Sequence, residues 1–263
     1  MTSDAAKTVH EFEGLVTVVT GGASGIGAVV CRELIARGAK VAILDLNPTM
    51  DQEGTLNLRA DVSDERQVLN AIDVVVRELG GIDIVVNSAG IEAQGTVLNG
   101  NFDEWRHVLD INVLGIVRVS RAALPHLRNS SSAAIVNVGS IAATIGLPER
   151  ALYSASKGAV DALTRAMAAD HIGENIRVNA VSPGTVNTPW IRRLLATSSD
   201  PVHEFIVLSA RQPHGRLVLA QEVAKAVAYL ASPSSGSSVG TVLSVDGGVG
   251  GLRLSPSGIV IHD

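Results

Sequence analysis

Leu15-Val16-Thr17-Val18-Val19-Thr20-Gly21-Gly22-Ala23-Ser24-Gly25-Ile26-Gly27 is the stretch on which the reading of this chain turns. The first six residues are β-branched or aliphatic, as in a short strand covered on both faces. Four glycines follow at once, and a helical pattern runs from Gly25 to Arg37. Glycine lets the chain turn sharply and lets backbone approach a bound group, while a helix N-terminus presents free N–H groups to an anion. Gly21, Ser24, Gly25, Ile26 and Gly27 are therefore candidate contacts for the pyrophosphate of a dinucleotide. A turn of this kind also occurs where nothing binds, so its neighbours decide. Asp45 ends the second strand candidate, where a carboxylate can accept from an adenosine ribose diol or simply close a strand-end turn. Such a carboxylate repels a 2′-phosphate, and Leu46, Asn47, Ala23 and Ser24 offer no positive charge. NAD is favoured over NADP.

Working outward, apolar runs alternate with longer helical patterns. Strand candidates are Leu15–Thr20, Lys40–Asp45, Thr55–Ala60, Ile82–Asn87, Ala133–Val138, Ile176–Val181 and Val239–Val245. Helix candidates are Gly25–Arg37, Asp64–Leu79, Asn101–Leu127, Ala151–His171 and Gln221–Ala231. This alternation implies an α/β fold: one doubly wound parallel β-sheet of about seven strands flanked by helices, with right-handed crossovers. Ligands of such sheets bind beyond the carboxyl ends of the strands. Asp61, Val62, Asn87, Ala89 and Gly90 all fall at such ends, beside one crevice. Residues 188–216 break the alternation with polar residues and prolines, and read as an insertion covering a substrate site. The tail from Gly250 is irregular, and Pro256 breaks it.

The 263 residues carry a formal charge of −5, with 46% apolar and 18% charged residues. That mild acidity, without a basic run, argues against nucleic acid or an anionic membrane surface as partner. No apolar run is long enough for a transmembrane helix, and Met1–Glu13 lacks the apolar core of a secretory signal. One cysteine, Cys31, excludes an internal disulfide, and the seven histidines show no metal-ligand spacing, so no metal is expected. The expectation is a soluble cytoplasmic protein with one domain over residues 1–263.

Only two tyrosines occur, and Tyr153 has Lys157 one helical turn later on the same face. The residues around them, Ser154, Ala155, Ser156, Gly158 and Ala159, are small. Ser140 ends the fifth strand candidate. Asn112 interrupts the apolar pattern of the long Asn101–Leu127 helix, a position where asparagine is unfavourable unless its side chain has a task.

Taken in order, Thr20–Gly27, Asn87–Gly90, Asn112, Ser140, Tyr153 with Lys157, Pro183-Gly184 and Asp246-Gly247-Gly248 resemble the short-chain dehydrogenase/reductase family from about Gly14 to Gly248. Ser88 departs from it, standing where the family usually repeats asparagine. The resemblance implies a Rossmann fold and hydride exchange between a substrate and a nicotinamide. Tyr153 would be the general acid/base, its pKa lowered by the Lys157 ammonium and the positive nicotinamide ring. Lys157 would also hold the nicotinamide ribose, Ser140 the reacting oxygen, and Asn112 a water in a proton relay to Lys157. Pro183, Gly184, Val186 and Thr188 would lie along the nicotinamide. The resemblance also implies a homotetramer, built through two long helices and the last strand.

For substrate, the residues after Ser140, around Tyr153 and in the insertion matter most. Arg150, Arg192, Arg193 and Arg211 recur there, while aromatics are few, with Trp190 and Phe205 the two in the insertion. Ser140, Arg150, Tyr153, Trp190 and Arg211 are candidate substrate contacts. Guanidinium groups suit a carboxylate, although each arginine is equally compatible with a surface or interface ion pair. The arginine spacing resembles the subgroup acting on small hydroxy acids, sugar acids and deoxy-sugars of the L-fucose type. Two alternatives stay open: a reductase of another carbonyl class, such as an acyl-thioester or hydrophobic ketone, and a non-catalytic NAD-binding scaffold.

Overall fold

The computed structural model describes residues 10–48 and 54–254. Seven parallel strands form one sheet: β1 Val16–Thr20, β2 Lys40–Asp45, β3 Thr55–Arg59, β4 Ile84–Asn87, β5 Ala134–Val138, β6 Arg177–Pro183 and β7 Val242–Val245. Their order is β3-β2-β1-β4-β5-β6-β7. The order reverses between β1 and β4, and a crevice opens there at the carboxyl ends. Register brings those ends level: Thr20 lies opposite both Leu44 and Asn87, and Asn87 opposite Asn137.

Strand alternation builds two cores. Val19, Ile43, Val86 and Val136 face one side, under α1 (Gly25–Ala36) and α8 (Ala220–Ala231). Val18, Leu44, Val85 and Ile135 face the other, under α2 (Glu65–Leu79), α4 (Gly115–Leu127) and α5 (Ala151–His171). Burying each such side chain contributes about 1.5–3 kcal/mol, which fixes the register. Arg177, at the start of β6, is buried and donates to the carbonyls of Leu230, Ala231 and Ser232. Its charge thus meets the negative end of α8.

Three expectations change. The long helix Asn101–Leu127 is two helices, α3 (Phe102–Leu109) and α4, joined by a π turn over Asp110–Leu114 that contains Asn112. The insertion is helical: α6 (Pro189–Thr197) and α7 (Pro201–Ala210) pack through Ile191, Leu195, Leu208 and Leu217. Thr188 and Asp200 accept from Ile191 N and His203 N, and a proline follows each cap. Proline has no N–H to lose in the first turn and favours helix initiation there, so the prolines begin these helices. The last two strands also shift: β6 runs on through Pro183, and β7 starts at Val242. The tail beyond residue 254 lies outside the described residues.

Candidate active site

Thr20, the last residue of β1, accepts from Ser88 N and Ala89 N, both at 3.1 Å, and so ties the ends of β1 and β4. Gly21 N donates to the Leu44 carbonyl at 2.9 Å, seating the turn over β2. Two glycines of the turn are required for different reasons. A Cβ at Gly27 would overlap the Gly21 carbonyl oxygen, so α1 approaches the turn this closely only without one. Gly25 has φ +55°, and a Cβ there would project into open space. Ser24 is exposed and its hydroxyl caps nothing in α1. An open cradle, an unused hydroxyl and a helix N-terminus suit a dinucleotide diphosphate.

Asp45 sits at the rim, accepting from Ala23 N at 3.1 Å and Asn47 N at 3.0 Å. Asp61, two residues beyond β3, accepts from the Ser63 N–H and hydroxyl. A single cleft of about 490 Å³ is lined by Gly21, Ser24, Gly25, Ile26, Gly27, Asp45, Asp61, Val62, Ala89 and Gly90. The same cleft takes in Ser140, Arg150, Tyr153, Lys157, Pro183, Gly184, Val186, Thr188 and Arg211. The sequence-selected residues thus converge from six strand ends.

Two do not line it. Asn87 is buried beneath, donating to Asn137 Oδ1 at 2.9 Å, and Asn137 donates to Thr164. Asn112 commits its side chain elsewhere: Oδ1 accepts from Ile91 N, while Nδ2 donates to the Ile91 carbonyl and to Ser156 Oγ. Trp190 falls in α6, and its side chain lies outside the described residues. Gln212, beside Arg211, is also structural: it is buried, donates to Leu208 O and accepts from Thr185 N, tying the insertion to the end of β6. Arg216 pairs with Glu222.

At the reacting end, Ser140 follows β5 and opens a tight turn, accepting from Ala142 N at 3.2 Å. Tyr153 stands in the first turn of α5 and Lys157 one turn on, with Nζ 5.7 Å from the Tyr153 ring centroid. Lys157 is 6% exposed and donates to the Val138 carbonyl at 2.9 Å. Burial lowers its pKa to about 8, against the opposing pull of the Glu92 and Asp161 carboxylates. Tyr153 differs from expectation. Burial, and then the Glu92 carboxylate, push it up to about 12, and the Ser140 hydrogen bond and Arg150 only partly offset this. The protein alone therefore holds the phenol protonated.

Two carboxylates here were not anticipated. Glu92 follows Gly90-Ile91 in the loop after β4 and lines the cleft. Asp161 lies one turn beyond Lys157, is 4% exposed, and has an Oδ1 with no hydrogen-bond partner. The signal for Asp161 was its spacing of four from Lys157. For Glu92 it was an acidic residue just after a strand end already assigned to the crevice.

Residues 21–250 match a family model described as enoyl-(acyl carrier protein) reductase. The cis-4-hydroxycyclohexanecarboxylate dehydrogenase of Sinomonas cyclohexanicum is 39% identical over 90% of this chain and 97% of its own. The chain belongs to the short-chain dehydrogenase/reductase family. As a member of that family it is an oxidoreductase acting on CH–OH donors. L-fucose dehydrogenase from Mus musculus is 36% identical over 86% of this chain and 85% of its own. Among solved structures of this family, the ligand-free aldohexose dehydrogenase of Thermoplasma acidophilum superposes with a TM-score of 0.86 at 34% identity. That match covers 92% of this chain and 96% of the other.

Proposed function

We propose that this short-chain dehydrogenase/reductase oxidises a secondary alcohol of a small polar substrate, such as a deoxy-sugar, sugar acid or hydroxy acid, with NAD. The observation that carries the proposal is the convergence of Ser140, Tyr153 and Lys157 in one cleft with the Gly21–Gly27 cradle and Asp45. Asp45 supports NAD, because its carboxylate at the rim disfavours a 2′-phosphate and Leu46, 54% exposed beside it, brings no countercharge. NAD would rest its diphosphate against Ser24 and the α1 N-terminus. When bound, it supplies the hydride acceptor.

The chain's own residues handle the proton. Ser140 Oγ donates to the substrate oxygen and stabilises the charge that develops there. Tyr153 Oη, once deprotonated, takes the hydroxyl proton of the alcohol. A phenol held near 12 is a poor base at neutral pH, so positive charge must reach it first. The oxidised nicotinamide ring carries such a charge, and Lys157 Nζ lies beside the Tyr153 ring. Lys157, fixed on the Val138 carbonyl, also reaches the ribose side of the cleft beside Gly90. Asn112 supports the relay by holding the Ile91 segment in place.

For the substrate, Arg150, Arg193 and Arg211 line the same cleft and offer hydrogen-bond donors to hydroxyl or carboxylate oxygens. The cleft volume falls within the range of small-molecule sites. Exposed Ala155, Ala162, Ala166 and Ala169 give α5 a small-residue face on which a second copy can pack closely, in keeping with a homotetramer. The test is NADH formation at mildly alkaline pH from L-fucose, sugar acids, small hydroxy acids and hydrophobic alcohols. Turnover confined to the polar alcohols supports the proposal. Turnover of hydrophobic alcohols alone, or none at all, contradicts it.

A further inference from the structure

Gln212 stands where the insertion returns to the sheet, and it is only 1% exposed. Its side chain ties three stretches of chain together. Nε2 donates to the Leu208 carbonyl at 2.7 Å and, over a longer 3.4 Å, to the Arg216 carbonyl. Oε1 accepts from the Thr185 N–H at 3.2 Å. These partners fix the orientation of the amide, because turning it over would set donor against donor and oxygen against carbonyl oxygen. An ionised glutamate here would lack the donor, and a methionine would make neither bond.

The chain segments that this amide joins line one cleft. Thr185 lines it from the segment that continues β6, and Leu208 and Arg211 line it from the end of α7. The apolar contacts of α6 and α7 are local: Ile191, Leu208 and Leu217 form a small cluster apart from the two cores that cover the sheet. Backbone bonds fasten the return of the insertion to the strand ends. Val218 N donates to Thr185 O and Asn187 N to Val218 O, both at 2.9 Å, and His214 N donates to Gly247 O at 3.2 Å. Those bonds stop short of α7. Among the described residues, the Gln212 side chain carries the connection on from Thr185 to α7 itself. Gly184, one residue before Thr185, packs so closely on the turn after β7 that a Cβ would lie 3.0 Å from the Asp246 Cα. Thr185 is thus braced on β7 as well as on the insertion.

Resting on the dehydrogenase reading above, we infer that Gln212 is a positioning residue for the nicotinamide half of the cofactor. It locks the Thr185–Thr188 segment to the α6–α7 insertion, so that the nicotinamide wall and the substrate wall form one body. Gln212 itself does not line the cleft. It acts through Thr185 at one end and through Leu208 at the other. Without the amide, the Thr185 N–H loses its acceptor and the two walls are free to shift separately. The adenosine and diphosphate half rests on Gly21–Gly27 and Asp45, at the ends of β1 and β2, which Gln212 does not touch.

NADH and ADP-ribose separate the two halves, since ADP-ribose carries the adenosine and the diphosphate but no nicotinamide. Calorimetric titration gives both dissociation constants on one preparation. The parent should bind NADH more tightly than ADP-ribose. Gln212→Met keeps the length of the side chain and removes both bonds. It should lose about three- to tenfold of that margin, the range expected of one or two neutral hydrogen bonds, with the ADP-ribose Kd within about twofold of the parent. An unchanged margin overturns the proposal, and so does an equal loss for both ligands, which marks general damage to the fold. A second measurement needs no variant. In the ligand-free parent the Thr185 amide should exchange with solvent at least about a hundredfold more slowly than an open loop amide, and fast exchange overturns the placement. A parent that binds neither ligand sinks the dinucleotide reading and the proposal with it. The expected loss of margin in a protein that oxidises no alcohol upholds the role of Gln212 and sinks the dehydrogenase reading alone.

Discussion

Both polar ends of the Asn112 side chain close on one residue: Oδ1 accepts from the Ile91 N–H and Nδ2 donates to the Ile91 carbonyl, each at 2.8 Å. The π turn over Asp110–Leu114 places asparagine at this point, where the regular helix read from the sequence is interrupted. Asn112→Leu should therefore cost about 1–3 kcal/mol, a fall in Tm of roughly 2–10 °C for a chain of this size. It should also lower kcat, because the loop before Glu92 and Tyr153 loosens together. Thermal unfolding beside steady-state kinetics checks both, and an unchanged Tm contradicts a structural clamp.

The two glycines of the cradle should separate by phenotype. Gly27→Ala forces a Cβ into the Gly21 carbonyl and should lower Tm by more than 5 °C, or prevent folding, on the order of 2 kcal/mol or above. Gly25→Ala meets no protein atom; its cost is the positive φ, about 1 kcal/mol, and the new methyl enters the space assigned to the diphosphate. It should hold its fold and raise the Kd for NADH at least tenfold, read by titration of the NADH fluorescence.

Asp45 predicts the cofactor choice. The parent should favour NAD over NADP by about a hundredfold or more in kcat/KM, given the Asp45 carboxylate at the rim of the cleft. Asp45→Ser combined with Leu46→Arg should narrow that preference at least tenfold. Parity between the cofactors in the parent would refute the role.

Lys157 predicts how stability depends on pH. Its pKa is about 8 in the fold and 10.5 ordinarily, so between those values the unfolded chain binds more protons than the native one. Stability from this group therefore rises with pH from about 8 upward, by up to about 2 kcal/mol at pH 10. Tyr153 works the opposite way from pH 10 to 12, since its native value is the higher one, so the window to read is pH 8 to 10. Denaturant midpoints across that window should climb in the parent relative to Lys157→Met. Parallel curves would show that the ammonium is not desolvated as described.

The strand–helix alternation was legible because all seven strands are parallel and the five inner ones, β1, β2, β4, β5 and β6, are largely buried on both faces, which writes an apolar run into each, while the edge strands β3 and β7 are more open. The cleft was legible for a related reason: its residues sit at strand ends, and parallel strands bring their carboxyl ends together whatever lies between. What the chain hides is set by distant partners. Thr188-Pro189 and Asp200-Pro201 look like breaks, yet each is a cap followed by an initiating proline, and Ile191, Leu208 and Leu217 reward the helices by packing. The upward shift of Tyr153 comes first from burial and then from Glu92, 61 residues earlier, so no local pattern around the tyrosine reports it. Asn87 shows the converse: it sits at a strand end, but the side chain turns under the cleft to meet Asn137.

The central claim is that Tyr153 moves the substrate proton. It is tested most directly by Tyr153→Phe, with NAD binding and NADH formation measured on the same preparation. The account predicts NAD affinity within about threefold of the parent, because the phenol hydroxyl is not part of the diphosphate cradle, and a loss in kcat of about a hundred- to ten-thousandfold. Retained turnover with intact binding would place the proton on another group and contradict the mechanism.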